Sequence, residues 1–217
     1  MTAHVCVPVL KRYDRLRKLI ASLATSSVSP SIHIIDNGRS AERLAWAIDG
    51  SALLIQTYEP PQPMGVAESW NWFIKQTDGE RIIANDDIEF APESLAAFLA
   101  MPGDIVGHAG INLCSCFLLR DSCVEKVGLF DETISPGYAY FEDCDYAERI
   151  AIAGAVRVNV SCDIQHAGSQ TPATFTEEEW REHSRRFAIA QDNFIAKWGF
   201  HPAHGRGEHP PMSRRVV

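Results

Sequence analysis

The sequence has no Cys-x-x-Cys pair, although it contains six cysteines: Cys6, Cys114, Cys116, Cys123, Cys144 and Cys162. Most sit inside apolar runs, as free core thiols do, so neither a zinc site nor a disulfide framework is expected. It also lacks a G-x-G-x-x-G turn after an early strand, which removes a dinucleotide-binding dehydrogenase. No apolar run approaches the roughly 20 residues that span a bilayer, so no transmembrane segment is expected. The first residues, MTAHVCVPVLKR, enter a strand-like run at once without a signal-peptide layout, and the expected location is cytoplasmic. Positive charge is in deficit, with a formal net charge of -8. That disfavours a broad grip on nucleic-acid backbone, and it admits a polyphosphate ligand only where a metal or local basic group offsets the repulsion.

What is present is ordinary for a globular protein: 217 residues, 46% hydrophobic and 22% charged, enough for one domain with a substantial core. The first half alternates. Strands are expected over 5–10, 32–35, 52–57 and 81–84, from short apolar runs ending at turn residues. Helices are expected between them: Leu16, Leu19, Ile20 and Leu23 recur at helical spacing behind Asp14 as N-cap. Ala41, Leu44, Ala45 and Ile48 mark a second helix, and Val66, Trp70, Phe73 and Ile74 a third, opened by Gly65 after a Pro-rich loop. Strand–helix alternation of this kind specifies an α/β fold with a mixed, mostly parallel sheet flanked by helices.

The second half changes character. A short helix over 92–99 precedes strands over 105–106 and 113–119 and a helix near 124–127. A helix then runs from Phe141 to about Ile152, with Gly154 as its C-cap, followed by strands over 156–160 and 164–166. Thr176 to Glu179 has the form of a capping box that opens a long helix. Its aromatics Trp180, Phe187, Phe194 and Trp198 are expected to pack on the body. Residues 201–217 read as an irregular tail.

Two acidic groups and one histidine stand out. Asn85-Asp86-Asp87 ends a β-branched run, a place where buried carboxylates need a cation, a donor or water and where open α/β sheets bind ligands. On its own it is a solvated turn. Glu142-Asp143 opens a helix, whose dipole favours ionised carboxylates; read alone this is capping, with Asp145 and Arg149 as an i,i+4 pair. His166 stands where a strand meets a small-residue loop. A strand-end Asp with a His can hold a hard divalent cation and leave positions for phosphate oxygens and water. A carboxylate across the pocket can then take a proton from an incoming hydroxyl. That equipment suits group transfer from a nucleotide-activated donor.

The ordered motifs IIDNG (34–38), PMGVAESWN (63–71), NDDIEF (85–90), GLFDE (128–132), YFEDCDYAERI (140–150), HAGS (166–169) and KWG (197–199), after a Pro8-ended strand, resemble those of a family 2 glycosyltransferase of the GT-A fold. The resemblance covers about residues 3–200. It implies a single GT-A domain, Rossmann-like, over 1–200, with a nucleotide-sugar-binding half over 1–90 and an acceptor and catalytic half over 91–200, and a C-terminal helix packed on the body. It implies Asp87 and His166 as ligands of Mn²⁺ or Mg²⁺, and Asp86 beside the donor's ribose or diphosphate with a lesser role for Asn85. Pro8, Val9 and Asp36 match positions around the base and ribose, and Met64, Gly65 and Trp70 lie in the segment that closes over the nucleoside. Asp143 is the implied general base and Glu142 the group that orients the acceptor. The implied reaction is inverting transfer from a nucleotide-diphospho-sugar, UDP-linked by default, to a hydroxyl of a saccharide, glycolipid or protein. Lys11-Arg12 and Pro63-Met64 depart from the family pattern and bear on donor identity. A catalytically silent sugar-nucleotide binder or assembly subunit remains an alternative. A nucleotidyltransferase is a weaker one, because VPVLKRYDRL carries no glycine for a phosphate loop.

Overall fold

The computed structural model describes residues 3–110, 113–168 and 174–202. Strands β1 (His4–Val9), β2 (Ser31–Asp36), β3 (Leu54–Tyr58) and β4 (Glu80–Ala84) alternate with helices α1 (Tyr13–Ala24), α2 (Ala41–Ile48) and α3 (Val66–Gln76). Every residue of β2 is buried, as a parallel strand covered by helices on both faces requires. On α1 the apolar positions Leu16, Leu19, Ile20 and Leu23 all face inward. Asp14 is not the N-cap: Arg12 holds that position, and its guanidinium clasps the Asp14 carboxylate at 3.0 and 2.9 Å. An ion pair in the first turn has displaced the capping role.

The chain continues through β5 (Ile88–Phe90), α4 (Ser94–Ala100), β6 (Ile105–His108), β7 (Cys116–Arg120), α5 (Asp121–Val127), α6 (Glu142–Ala153), β8 (Arg157–Val160), β9 (Ile164–His166) and α7 (Glu177–Trp198). The strand expected over 113–119 opens instead as a 3-10 turn, Leu113–Ser115, before β7. Gly154 caps α6 in the left-handed conformation, and Thr176 with Glu179 forms the capping box of α7, as expected. The tail over 203–217 and Ser169 of the HAGS motif lie outside the described residues.

The main sheet has seven strands in the order β3-β2-β1-β4-β7-β6-β8. All neighbours are parallel except β7, which is antiparallel to β4 and β6. The chain therefore moves outward from β1 to β3 and then returns to place β4 on the other side of β1. This reversal is a topological switch point, and a crevice opens beyond the carboxyl ends of β1 and β4. Because β7 runs the other way, its amino end reaches the same rim, with Cys116 paired to Ala84.

Alternate residues of the strands feed two cores. Val5, Val7, Val9, Ile32, Ile34 and Ile82 pack with α1 and with Leu95 and Phe98 of α4. Cys6, Ile35, Ile83, Phe117 and Leu119 pack with α3, α5 and α6. A third cluster of Ile134, Phe141, Ala190, Phe194 and Phe200 fastens α7. The aromatic row on α7 packs on the body through Phe194 and Trp198 and, more openly, through Phe187, which lies 5.0 Å from Phe141 and 5.1 Å from Tyr140 between ring centroids. Phe194 is buried there, but Phe187 is 37% exposed and Trp180 44%, because the amino half of the helix leaves the body and borders the crevice.

Candidate functional site

A cleft of about 700 Å³ occupies the switch point. Ten of the twelve residues singled out from the sequence line it: Pro8, Val9, Met64, Trp70, Asn85, Asp86, Asp87, Glu142, Asp143 and His166. Pro8 and Val9 end β1, and Asn85 follows β4 with its N–H donating to the Ser115 carbonyl at 2.9 Å. The remaining two, Asp36 and Gly65, build the cleft without lining it.

Asp36 is fully buried. Its carboxylate accepts from the Tyr13 hydroxyl and from the backbone N–H groups of Arg39 and Ser40 at 2.9 and 3.0 Å. Those bonds shape the turn after β2, and the neighbour that faces the cleft is Asn37. Asn37 in turn accepts the Met64 N–H at 2.8 Å and donates to Ser69 at 3.3 Å. This holds the Met64-Gly65 entry to α3 against the end of β2. Gly65 is needed for close approach: a Cβ there would lie 2.6 Å from the Tyr138 backbone N and 2.8 Å from its carbonyl oxygen. The Tyr138 carbonyl accepts the Val66 N–H, so the two walls of the cleft meet backbone to backbone. Trp70 forms a buried floor, edge-on to Phe130 and Phe117 at centroid distances of 4.8 and 5.5 Å.

Asp87 and His166 come from opposite halves of the chain. The two-stranded sheet formed by β5 and β9 pairs Ile88 with His166, and the Ala167 N–H donates to the Asp87 carbonyl at 3.2 Å. His166 Nε2 therefore lies 3.3 Å from Asp87 Oδ1. Both atoms are buried, and neither has a hydrogen-bond partner. The Asp87 carboxylate holds the His166 pKa above its ordinary value against the opposing effect of burial. A carboxylate oxygen and an imidazole nitrogen that converge at the cleft without a well-formed hydrogen bond fit a shared divalent cation. Among the described residues no three His, Cys, Asp or Glu side chains form a closed cage. Such a cation would take its other ligands from substrate oxygens and water. Asp86 is nearly buried beside them, and burial, aided by the Asp87 charge and opposed by Arg12, pushes its carboxyl up to about 7.

Glu142 and Asp143 stand at the amino end of α6 and line the same cleft. The chain reaches them through two non-glycine residues at positive φ, Tyr140 at 91° and Phe141 at 67°. Backbone in this region costs about 1–3 kcal/mol per residue and clusters at functional sites. Glu142 is 5% exposed with Oε2 unpartnered. Burial, then the neighbouring Asp143 charge, pushes its carboxyl up to about 8, so it is a neutral acid near pH 7 and can donate a hydrogen bond. Asp143 is half-buried and accepts the Cys144 N–H at 2.8 Å.

Asp145, read from the sequence as half of a helical ion pair, does more. It is fully buried and binds Arg149 at 2.8 Å, Lys197 at 2.6 Å and Trp198 Nε1 at 3.0 Å. Lys197 also pairs with Asp131 at 2.6 Å, and Asn71 joins α3 to Phe130 and Glu132. Side-chain bonds thus tie the 63–71, 128–132, 140–150 and 197–199 motifs together, while backbone pairing joins 85–90 to His166 and Ala167. The sequence reading missed a further part of the lining, made of Tyr138, Tyr140, Phe175, Glu182, His183 and Arg186. The available signal was the polar face of α7, whose His183 and Arg186 sit one turn apart.

This architecture is the GT-A fold. S. aureus TarS 1-349 in complex with UDP-GlcNAc aligns over 94% of this chain and 75% of its own, with TM-score 0.59 and 14% identity. Glucosyl-3-phosphoglycerate synthase from Mycobacterium tuberculosis, in complex with phosphoglyceric acid, aligns over 90% of this chain and 79% of its own, with TM-score 0.58 and 13% identity. GalNAc-T7 with UDP, GalNAc and Mn²⁺ aligns over 90% and 50%, with TM-score 0.57 and 12% identity. At such identities the likeness is one of fold. No family model and no curated protein matches the sequence.

Proposed function

We propose that the chain is an inverting, metal-dependent glycosyltransferase of the family 2 type, moving a sugar from a nucleotide-diphospho-sugar, UDP-linked by default, to an acceptor hydroxyl. The observation that carries this reading is the convergence of Asp86, Asp87 and His166 with Glu142 and Asp143 on one switch-point cleft. The solved structures of the same fold include complexes with UDP-GlcNAc and with UDP and Mn²⁺, which supports the same donor class and a metal here.

The donor's nucleoside lies against Pro8, Val9, Met64 and Trp70, with the Asn37 side chain fixing the Met64 segment. Asp86 faces the ribose or diphosphate. A divalent cation, Mn²⁺ or Mg²⁺, held by Asp87 and His166, would neutralise charge on the departing diphosphate. Asp143 accepts the proton of the acceptor hydroxyl as its oxygen attacks the anomeric carbon. The bond from that carbon to the diphosphate oxygen breaks on the opposite face, its electron pair leaves with the diphosphate, and the configuration inverts. The proton moves to Asp143 as the new bond forms. Glu142, neutral, donates a hydrogen bond that orients the acceptor. The buried thiols Cys6, Cys116 and Cys123 suit a reducing compartment, which supports a cytoplasmic reaction.

The test is calorimetric titration with UDP-sugars in Mn²⁺, followed by measurement of nucleotide release with and without acceptors. Metal-dependent donor binding with turnover is expected. Donor binding without turnover for any acceptor would leave a silent binder, and absence of donor binding would remove the reading altogether.

A further inference from the structure

The part of the cleft lining built from the loop before α6 and from α7 has a chemistry unlike that of the other lining residues. Tyr138 and Tyr140 come from the loop before α6, and His183 and Arg186 from α7. His183 lies edge-on to Tyr140 at a centroid distance of 5.2 Å and to Phe175 at 5.5 Å, and its Nδ1 is 3.0 Å from the Tyr138 hydroxyl. The Arg186 guanidinium covers the Tyr138 ring at 5.1 Å. Tyr138 and Tyr140 are both only partly covered and both line the cleft. The surface is a set of ring faces and edges with hydroxyl and imidazole atoms between them. Such surfaces bind amphipathic ligands whose one side is apolar and whose rim is polar.

Charge decides what that ligand can be. With Glu142 neutral, four carboxylates still line the cleft, from Asp86, Asp87, Asp143 and Glu182, against one guanidinium among the described lining residues, that of Arg186. That guanidinium is already engaged, since Arg186 Nε donates to Glu182 at 2.6 Å. Lys11, 5.1 Å from the Phe175 ring centroid, is paired with Glu179, and Arg12 with Asp14; a cation at Asp87 and His166 would serve the donor diphosphate, so among the described residues no cation is left unengaged for a second anion. An anionic acceptor would therefore meet net negative potential on this side. A pyranose ring meets neither problem, because its axial C–H face covers an aromatic ring while its equatorial hydroxyls reach polar rims.

We propose that the Tyr138, Tyr140, Phe175 and His183 wall is the acceptor subsite, and that it takes an uncharged pyranoside, the terminal sugar of a saccharide, and not a small phosphorylated or carboxylated acceptor. This rests on the glycosyltransferase reading for its catalytic meaning, but binding at the wall is measurable without turnover.

Saturation-transfer NMR on the whole chain, without donor, tests it with a panel of methyl pyranosides (gluco, galacto, manno and N-acetylglucosaminide) beside phosphoglycerate and methyl glucuronide. At least one neutral pyranoside is expected to receive saturation, with the signal falling severalfold in Tyr140→Ala and in His183→Ala. The second variant lies on a half-exposed helix position where alanine preserves the fold. Neither anion is expected to compete. Binding by an anion alone, by no pyranoside, or by pyranosides equally in both variants overturns the proposal. Where donor binding also survives in the two variants by calorimetry, a failed acceptor result counts against this subsite only. A loss of donor binding in the wild type counts against the catalytic reading instead.

Discussion

Trp198 Nε1 donates to Asp145 Oδ1 at 3.0 Å, joining the last residue of α7 to the first turn of the helix that carries Glu142 and Asp143. The contact fixes α6 through a buried carboxylate that also binds Arg149 and Lys197. The far end of the chain therefore sets the position of the candidate base.

Removing that carboxylate leaves the partly buried Arg149 and Lys197 cations without their common partner. Asp145→Ala is expected to destabilise the protein on the order of 3 kcal/mol. Trp198→Phe, which keeps the ring but loses a hydrogen bond to a charged acceptor, is expected to cost about 1.5–3 kcal/mol. Urea unfolding monitored by fluorescence and by circular dichroism measures both, and a Trp198→Phe midpoint equal to wild type would show the bond to be idle.

The metal assignment rests on Asp87 and His166. Asp87→Ala is expected to abolish Mn²⁺-dependent donor binding, and His166→Ala to weaken Mn²⁺ affinity at least tenfold, the scale seen when a ligand set is depleted. Electron paramagnetic resonance of free Mn²⁺ reads the affinity without any turnover. An unchanged titration in His166→Ala would make it a structural histidine.

Asp143→Asn keeps shape and removes the proton acceptor. Donor affinity should stay within about twofold while transfer falls at least ~10²-fold, the range for loss of a positioned base. Equal losses in donor binding and turnover would instead point to a collapsed cleft.

Glu142 makes stability depend on pH. Its folded pKa, about 8, lies above its ordinary value of 4.5. The native state therefore binds more protons than the unfolded chain between those values, and stability falls as pH rises through that window. The contribution is full below 4.5 and lost above 8. Glu142→Gln, which mimics the neutral acid, should flatten that dependence. Its advantage over wild type is expected to grow between about pH 5.5 and 7.5 by roughly 1–3 kcal/mol, measurable by denaturant titration at each pH. A difference that shrinks with rising pH would place a charged Glu142 in the native state.

Gly65→Ala probes the meeting of the two walls. Its φ is -64°, so the backbone accepts alanine, but the added Cβ would press on the Tyr138 backbone at 2.6 Å. Overpacking of this kind costs about 1–3 kcal/mol. Donor affinity should fall with stability, because the Met64 segment moves. Crystal-quality stability with intact donor binding would mean that the loop before α6 yields freely.

The sequence by itself determined the strand and helix order, the parallel character of the sheet, the cap of α7 and the end of α6 at Gly154. Those features depend on apolar periodicity and turn chemistry within a few residues. It also marked ten residues that the cleft gathers. Two kinds of fact were decided only by the tertiary structure. One is the use made of each polar group: Asp36 spends its carboxylate on Tyr13 and a turn, Asp14 pairs with Arg12, and Asp145 anchors α7. Which donor a carboxylate meets depends on neighbours distant in the chain. The other is the union of surfaces from separate elements. The β5–β9 pairing brings His166 to Asp87, and the amino half of α7 brings His183 and Arg186 to the cleft that Asp143 also lines. A helical pattern specifies which side chains share a face, but packing chooses what that face meets.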